Sequence, residues 1–531
     1  MSALGAIAAQ VGAETRTRLR SAGTVFTLLL LFAAAFAYVP PPGSKRVSIM
    51  WHVGEQNFSG TYTVGFVGAI VAMITAMLLP MVGFYLVTGS VRRDLERRVW
   101  PIVAATPTAP ALYLLGKWLA GAGYLLVVAA LGLLPAAILF LQHGTGPFDV
   151  GQLLVPWLLL VPPAVLFTAA MALLFDVTPG LRGRGGYVLW FFVWSFGFMV
   201  IPGALGNLLD QDRTNDRYAI YDPSGMAFVE RMLSESVGEG IDGLSLGVIF
   251  TDVPITRVEM PPLRVDASKV GWRVAAADWA VVPLLAAAAV FRLSRHRPPR
   301  SRLPRRARAA AAEGAAAPIA VRPAVGAPTP RPTAPGFSRS LLAEVALTWR
   351  TASFVKWPLL LLALLAGFAS GDALRGVLAA FLLLLAPVVA EVAARESLAG
   401  TGPMVFAQPG TPSSVVAWKA AATLAVVLLL GTPALLRSFA LSTERGVALL
   451  LGLVFVATAA TGLGWLTRGG KLFLGAFTAL WYVAIQNGSP VDFAGAFGPR
   501  PDLPLAASFA AAGAAFTLAA AVAERLRPRG A

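Results

Sequence analysis

Cysteine is absent from the 531 residues, which excludes disulfides, thiolate metal ligands and cysteine nucleophiles. Histidine is almost absent: His52, His143 and His296 lie far apart in the chain, so a histidine metal cluster is not expected. Charged residues are scarce as well, 13% of the chain against 57% hydrophobic. No stretch reads Gly-x-x-x-x-Gly-Lys-Ser/Thr. The nearest, Gly469-Gly470-Lys471-Leu472, lacks the leading glycine and the hydroxyl residue, so the chain should not hydrolyse ATP by itself. Ser59-Gly60 and Ser224-Gly225 sit in no nucleophile-elbow context, and no zinc-protease helix motif is present. These absences point away from an enzyme and from a cofactor held by this chain.

What is present is apolar length. Several apolar runs reach 18 residues or more, and a soluble chain of this size cannot hide so much apolar surface. The pattern predicts an all-α membrane protein of about twelve spans. The first six fall near 22–39, 63–90, 111–141, 153–175, 187–205 and 274–291. The second six fall near 357–370, 374–393, 415–436, 446–466, 472–487 and 504–523. The first apolar run ends in Val39-Pro40-Pro41-Pro42 with no clear cleavage site, so it reads as a span and not as a signal peptide.

Residues 1–21, with Glu14, Arg16, Arg18 and Arg20, read as an N-terminal interfacial helix. Residues 22–292 form a first six-span half, with an insertion at 206–273 that holds 11 of the chain's 27 acidic residues. A basic Ala/Pro-rich linker covers 293–338, and eight arginines stand from Arg292 to Arg308 at its start. Residues 339–531 form the second half, where Glu344-Val345 and Arg350-Thr351 echo Gln10-Val11 and Arg16-Thr17 at an offset of 334. Short loops rich in Arg and Lys follow spans two, four, six and ten, whereas those after spans three and eleven are poor in both. Positive-inside logic then places both termini in the cytoplasm and the acidic insertion outside. The linker arginines abut a span end, which suits anionic lipid headgroups better than nucleic acid.

One segment recurs. Adding 302 to Arg93, Asp94, Pro101, Val103, Ala105, Pro107, Pro110 and Lys117 reaches Arg395, Glu396, Pro403, Val405, Ala407, Pro409, Pro412 and Lys419 without a gap. The chain thus reads as two parallel copies of one six-span unit, each centred on a charged, proline-marked cytoplasmic segment. In the first copy Arg93, Asp94, Glu96, Arg97 and Arg98 open a short helix able to pair with a partner. Pro107 and Pro110 stop it, and Lys117 snorkels at the entry of span three. Charges inside spans are few: Asp278 near an outer end, Asp176 and Glu391 near inner ends.

At these residues the chain resembles the permease subunits of ABC exporters of the type V fold. The resemblance rests on Arg93-Asp94, Thr106-Pro107 and Gly116-Lys117 in the first half. In the second it rests on Arg395-Glu396 and Gln408-Pro409, with Trp418-Lys419 lacking the glycine. It implies that Arg93, Asp94, Glu96, Arg97, Arg98, Pro107, Lys117, Arg395, Glu396, Pro409 and Lys419 form two coupling elements. Two separate ATP-binding cassette subunits, carrying ATP and Mg, would dock there. It further implies export of a hydrophobic or amphipathic molecule (a drug, a lipid or a peptide) across a bacterial inner membrane. Two other classes stay open. One is a secondary carrier of the major facilitator kind, with Asp278 as its coupling group. The other is a non-transport membrane scaffold that works through 206–273.

Overall fold

The computed structural model describes residues 3–21, 46–96, 109–200, 222–237, 243–250, 254–259, 265–295, 337–352, 355–402, 415–487, 491–498 and 500–526, with isolated positions between 24 and 39 and at Met404. Most of the expected first span and of the 293–338 linker lies outside these residues.

Helices dominate, and their ends follow local chemistry. Helix α1 (Ala3–Leu19) precedes the first apolar run. Helix α2 (Val64–Val87) starts where the Thr63 side chain accepts a hydrogen bond from the Phe66 N–H, and carries no charge over its 24 residues. It stops at Thr88 and Gly89, whose φ of +88° suits glycine. A short helix α3 (Ser90–Glu96) follows. Helix α4 (Pro110–Leu131) opens on Pro110 and continues, past Gly132, as α5 (Leu133–His143). Pro110 therefore starts a helix and does not close the preceding one, as suits a residue whose missing N–H costs nothing at a first turn. Helix α6 (Val150–Val177) is capped by Asp149 and tolerates three internal prolines. Helix α7 (Arg184–Trp194) runs into a π-helical turn, Ser195–Val200.

Helices α8 (Met226–Val237), α9 (Ala267–Asp278) and α10 (Val281–Arg295) complete the N-terminal part. The C-terminal part holds α11 (Phe337–Thr351), α12 (Lys356–Phe368), α13 (Gly371–Val389) and α14 (Arg395–Ala399). These are followed by α15 (Val415–Leu441), α16 (Thr443–Thr467), α17 (Lys471–Asn487) and α18 (Leu503–Arg525). Eight helical stretches among the described residues are long and apolar enough to cross a membrane. Three shorter apolar helices stand beside them: Lys356–Phe368, Gly185–Phe198 and Lys471–Gln486. The chain is a helical membrane protein.

Packing between the two parts is reciprocal. Helix α2 packs on α6 within its own part and on α17 across the divide, while α13 meets α7. Where α7 and α17 approach, Phe191 lies edge-on to Trp481 at 5.1 Å and Trp194 edge-on to Tyr482 at 4.9 Å. The Trp194 indole donates to the Met77 carbonyl at 2.8 Å, and the Trp481 indole to the Ala379 carbonyl at 2.9 Å. The two acceptors, Met77 and Ala379, are 302 positions apart, the offset of the charged segments, whereas the two donors are 287 apart.

An all-helical fold is not complete, because a four-stranded sheet caps one end. Strands β1 (Arg46–Val53), β2 (Gln56–Gly60), β3 (Gly243–Phe250) and β4 (Ile255–Val258) stand in the order β3-β1-β2-β4. Strand β1 pairs antiparallel with β2 and β3, and β2 runs parallel to β4. Gly54, at φ +58°, makes the two-residue turn between β1 and β2. The segment before α2 and the acidic insertion, apparently separate loops in the sequence, thus fold together. Ile49 and Trp51 bury their side chains beneath this sheet. Beside it, α8 presses Phe228, Val229, Met232 and Leu233 into the main core. Buried Arg273 of α9 pins that helix's entry by donating to the carbonyls of Asp222 (2.7 Å) and Leu159 (2.9 Å).

Candidate functional site

The recurring charged residues meet in two buried clusters. In the first, the Lys117 ammonium on α4 is ion-paired to Glu14 on α1 and, at 2.7 Å, to Asp94 on α3. The Tyr113 hydroxyl, one turn before Lys117, donates to Asp94 at 2.7 Å. Arg93 lies 3.8 Å from Glu14 and Arg18 lies 3.7 Å from it. Arg18 also donates to the carbonyls of Leu86 and Val87, at 2.8 and 3.1 Å, which ties α1 to the end of α2. Burial pulls the Arg18 guanidinium below its ordinary value, and Glu14 opposes that pull.

The second cluster repeats the plan. Lys419 on α15 is fully buried. It donates to Glu396 on α14 at 2.8 Å and to the Val392 carbonyl at 2.9 Å, and lies 3.3 Å from Glu344 on α11. Arg395 is ion-paired to Glu344 and donates to the Thr348 hydroxyl at 3.2 Å. Each cluster joins three elements: the helix α1 or α11, the short helix α3 or α14, and the long helix α4 or α15 on which the first of these lies. Helix α11 meets α12 at 105°, the bend expected where a helix lying along a membrane surface turns to cross it.

The clusters differ in charge. The first sets Arg18, Arg93 and Lys117 against Glu14 and Asp94. The second sets Arg395 and Lys419 against Glu344 and Glu396, with Thr348 standing where the first has Arg18. Buried pairs of this kind are held by geometry more than by net attraction, and losing one partner leaves a stranded charge.

These contacts revise two expectations. Lys117 does not snorkel: only 6% of it is exposed, and it is enclosed by carboxylates. The interfacial helices align through Glu14 and Glu344, an offset of 330 and not 334, because these two glutamates receive the matching lysines. The glutamates were the residues missed; their signal is one acid in each helix ahead of each half. Of the other expected residues, Glu96 lies in α3, while Arg97, Arg98, Pro107 and Pro409 lie outside the described residues.

The three charges expected near span ends take different roles. Asp176 is buried and caps α3, accepting from the Thr88 hydroxyl at 2.8 Å and the Gly89 N–H at 2.6 Å. Lys471 of α17 donates to the Thr88 carbonyl, so the C-terminal part reaches under the start of α3. Glu391 follows α13 and is half-buried. Asp278 closes α9 and is exposed. Comparison with protein-family models, with curated proteins and with solved structures finds no match to this chain.

Proposed function

We propose that the chain is the complete membrane-spanning permease of an ABC exporter: two six-span halves in one polypeptide, with both termini in the cytoplasm of a bacterial inner membrane. Two separate ATP-binding subunits dock on α3 and α14. The chain itself hydrolyses nothing and moves a hydrophobic or amphipathic molecule outward. The observation that carries this reading is the pair of matching ion clusters. A force applied to α3 or α14 has to pass through Asp94–Lys117 or Glu396–Lys419 into the third long helix, and through Glu14 or Glu344 into the interfacial helix. The reciprocal α2–α17 and α13–α7 contacts supply the second support, since two parallel halves related by an axis along the membrane normal would meet in this way.

The test uses the chain's lack of cysteine. Glu96→Cys on α3 and Leu398→Cys on α14, where Leu398 is exposed, each place one reactive thiol on a proposed docking helix. Photo-crosslinking in membranes of the native host, followed by mass spectrometry, is expected to trap the same Walker-motif ATPase at both positions, two copies per chain. Absence of any nucleotide-binding protein at both thiols would overturn the reading.

A further inference from the structure

Helix α11 packs on α15 and buries Glu344 and Thr348 on that side. Round the helix from them, Leu342, Ala346 and Trp349 form an apolar line at i, i+4 and i+7. All three are exposed, Leu342 to 65%. Helix α12 continues this surface. Its Trp357, Leu361, Leu364 and Phe368 again share one face, and each is more than half exposed. On a helical membrane protein such a face lies against lipid. The 105° bend between α11 and α12 then puts their elbow at the depth of the headgroups.

Two cations mark that elbow. Arg350 stands exposed in the last turn of α11. Lys356 opens α12, with its ammonium 5.9 Å from the Trp349 ring centre and 5.3 Å from that of Trp357. A cation in the first turn of a helix meets the positive end of the helix dipole, so Lys356 gains nothing from α12 itself. Among the described residues neither Arg350 nor Lys356 forms an ion pair. The only acid in either helix, Glu344, is taken by Arg395 and Lys419. At the offset of 330, Trp349, Lys356 and Trp357 fall on Leu19, Phe26 and Thr27, so the N-terminal part carries no such group.

We propose that the elbow of α11 and α12 binds one anionic phospholipid of the adjoining leaflet. Arg350 and Lys356 hold its headgroup, Trp349 and Trp357 stand beside the glycerol, and the apolar faces of both helices receive its chains. Guanidinium forks match phosphate oxygens, tryptophans favour the interfacial depth, and a net negative headgroup answers two cations that no carboxylate answers. Arg339 lies three turns before Arg350, about 16 Å along the axis, too far to share the same headgroup. The inference needs only a bilayer around the chain and not an exporter.

The test takes the full chain in bilayer nanodiscs with Ala346→Cys, one turn before Arg350, as its sole thiol and fluorophore site. Phosphatidylglycerol or phosphatidylcholine, each with a nitroxide high on one acyl chain, quenches the probe according to its occupancy beside α11. Phosphatidylglycerol is expected to be favoured about tenfold or more, and less so in raised salt. Arg350→Gln and Lys356→Gln should each cut that preference about fivefold, the worth of one cation at an anionic surface. Arg350→Lys should keep most of it, and Arg339→Gln should leave it within about twofold. A loss in Arg339→Gln equal to that in Arg350→Gln would mean a diffuse surface charge and overturn the site. Equal quenching by the two lipids with both cations in place would overturn it without any charge variant. So would displacement by inorganic phosphate at the lipid's own concentration, which would assign a free anion.

Discussion

Replacing Lys419 by Met keeps length and volume while deleting one buried charge. Lys419 bridges Glu396 and Glu344 and caps the Val392 carbonyl. Without it Glu344 keeps Arg395, but Glu396 loses its ion pair, and its second oxygen already lacks a hydrogen bond. Stranding a buried carboxylate costs about 3–5 kcal/mol, and partial exposure of the Glu396 side chain, 16%, places this one near the lower limit. About 3 kcal/mol corresponds to a roughly hundredfold rise in the opening of the elements that Lys419 ties together. Hydrogen exchange of backbone amides in α11 and α14 reads that opening directly. The double variant Lys419→Met/Glu396→Gln removes both charges and should recover about half the loss. The equivalent change Lys117→Met should cost less, because Glu14 keeps Arg18 and Arg93 and Asp94 keeps the Tyr113 hydroxyl. Exchange in α11 and α14 within about threefold of wild type would refute the reasoning, since no stranded charge of this size leaves its helices undisturbed.

Three further outcomes follow from positions elsewhere in the fold. Gly89→Ala places a Cβ at φ +88° and 2.5 Å from the Lys471 ammonium; a loss of about 1–2 kcal/mol should appear as a lower Tm, and an unchanged Tm would count against the α3 geometry. Trp194→Phe and Trp481→Phe each delete one indole donor to a backbone carbonyl, and equal losses of about 1 kcal/mol are expected in chemical unfolding; a large inequality would argue against equivalent roles. Arg273→Lys removes the fork that holds Asp222 and Leu159, so exchange across Met226–Val237 should rise about tenfold while α2 stays protected.

Helix positions were the legible part of the sequence. Apolar length places helices such as Val64–Val87, Val150–Val177 and Thr443–Thr467 to within a few residues, because membrane burial forces backbone bonds to close within the helix. The loop marked by Arg93-Asp94 and Arg395-Glu396 was legible too, since it repeats without a gap. What those residues touch was not. Reading Lys117 as a lone cation at a helix entry leaves it to snorkel; only the fold brings Glu14, some hundred residues away, against it. The sheet escaped notice for a similar reason. Strand β1 alternates through Val47, Ile49, Trp51 and Val53, but it finds one neighbour nearby and the other, β3, nearly two hundred residues on, and the alternation names no partner.

The sheet also restricts where the bundle can open. Strand β2 runs almost directly into α2, and β4 pairs with it in parallel before the chain continues to α9. The Thr61 N–H extends the ladder by donating to the Val258 carbonyl. The chain entering α2 is therefore laced to β4 by backbone bonds, and drawing the two apart would unzip a ladder edge before any side chain moved. Among the described residues the C-terminal part has no strand at that end; it has the tight loop 491–498, folded around Asp492. A passage widening on that side would thus hinge like a door, with the N-terminal part as the frame and the C-terminal part as the leaf.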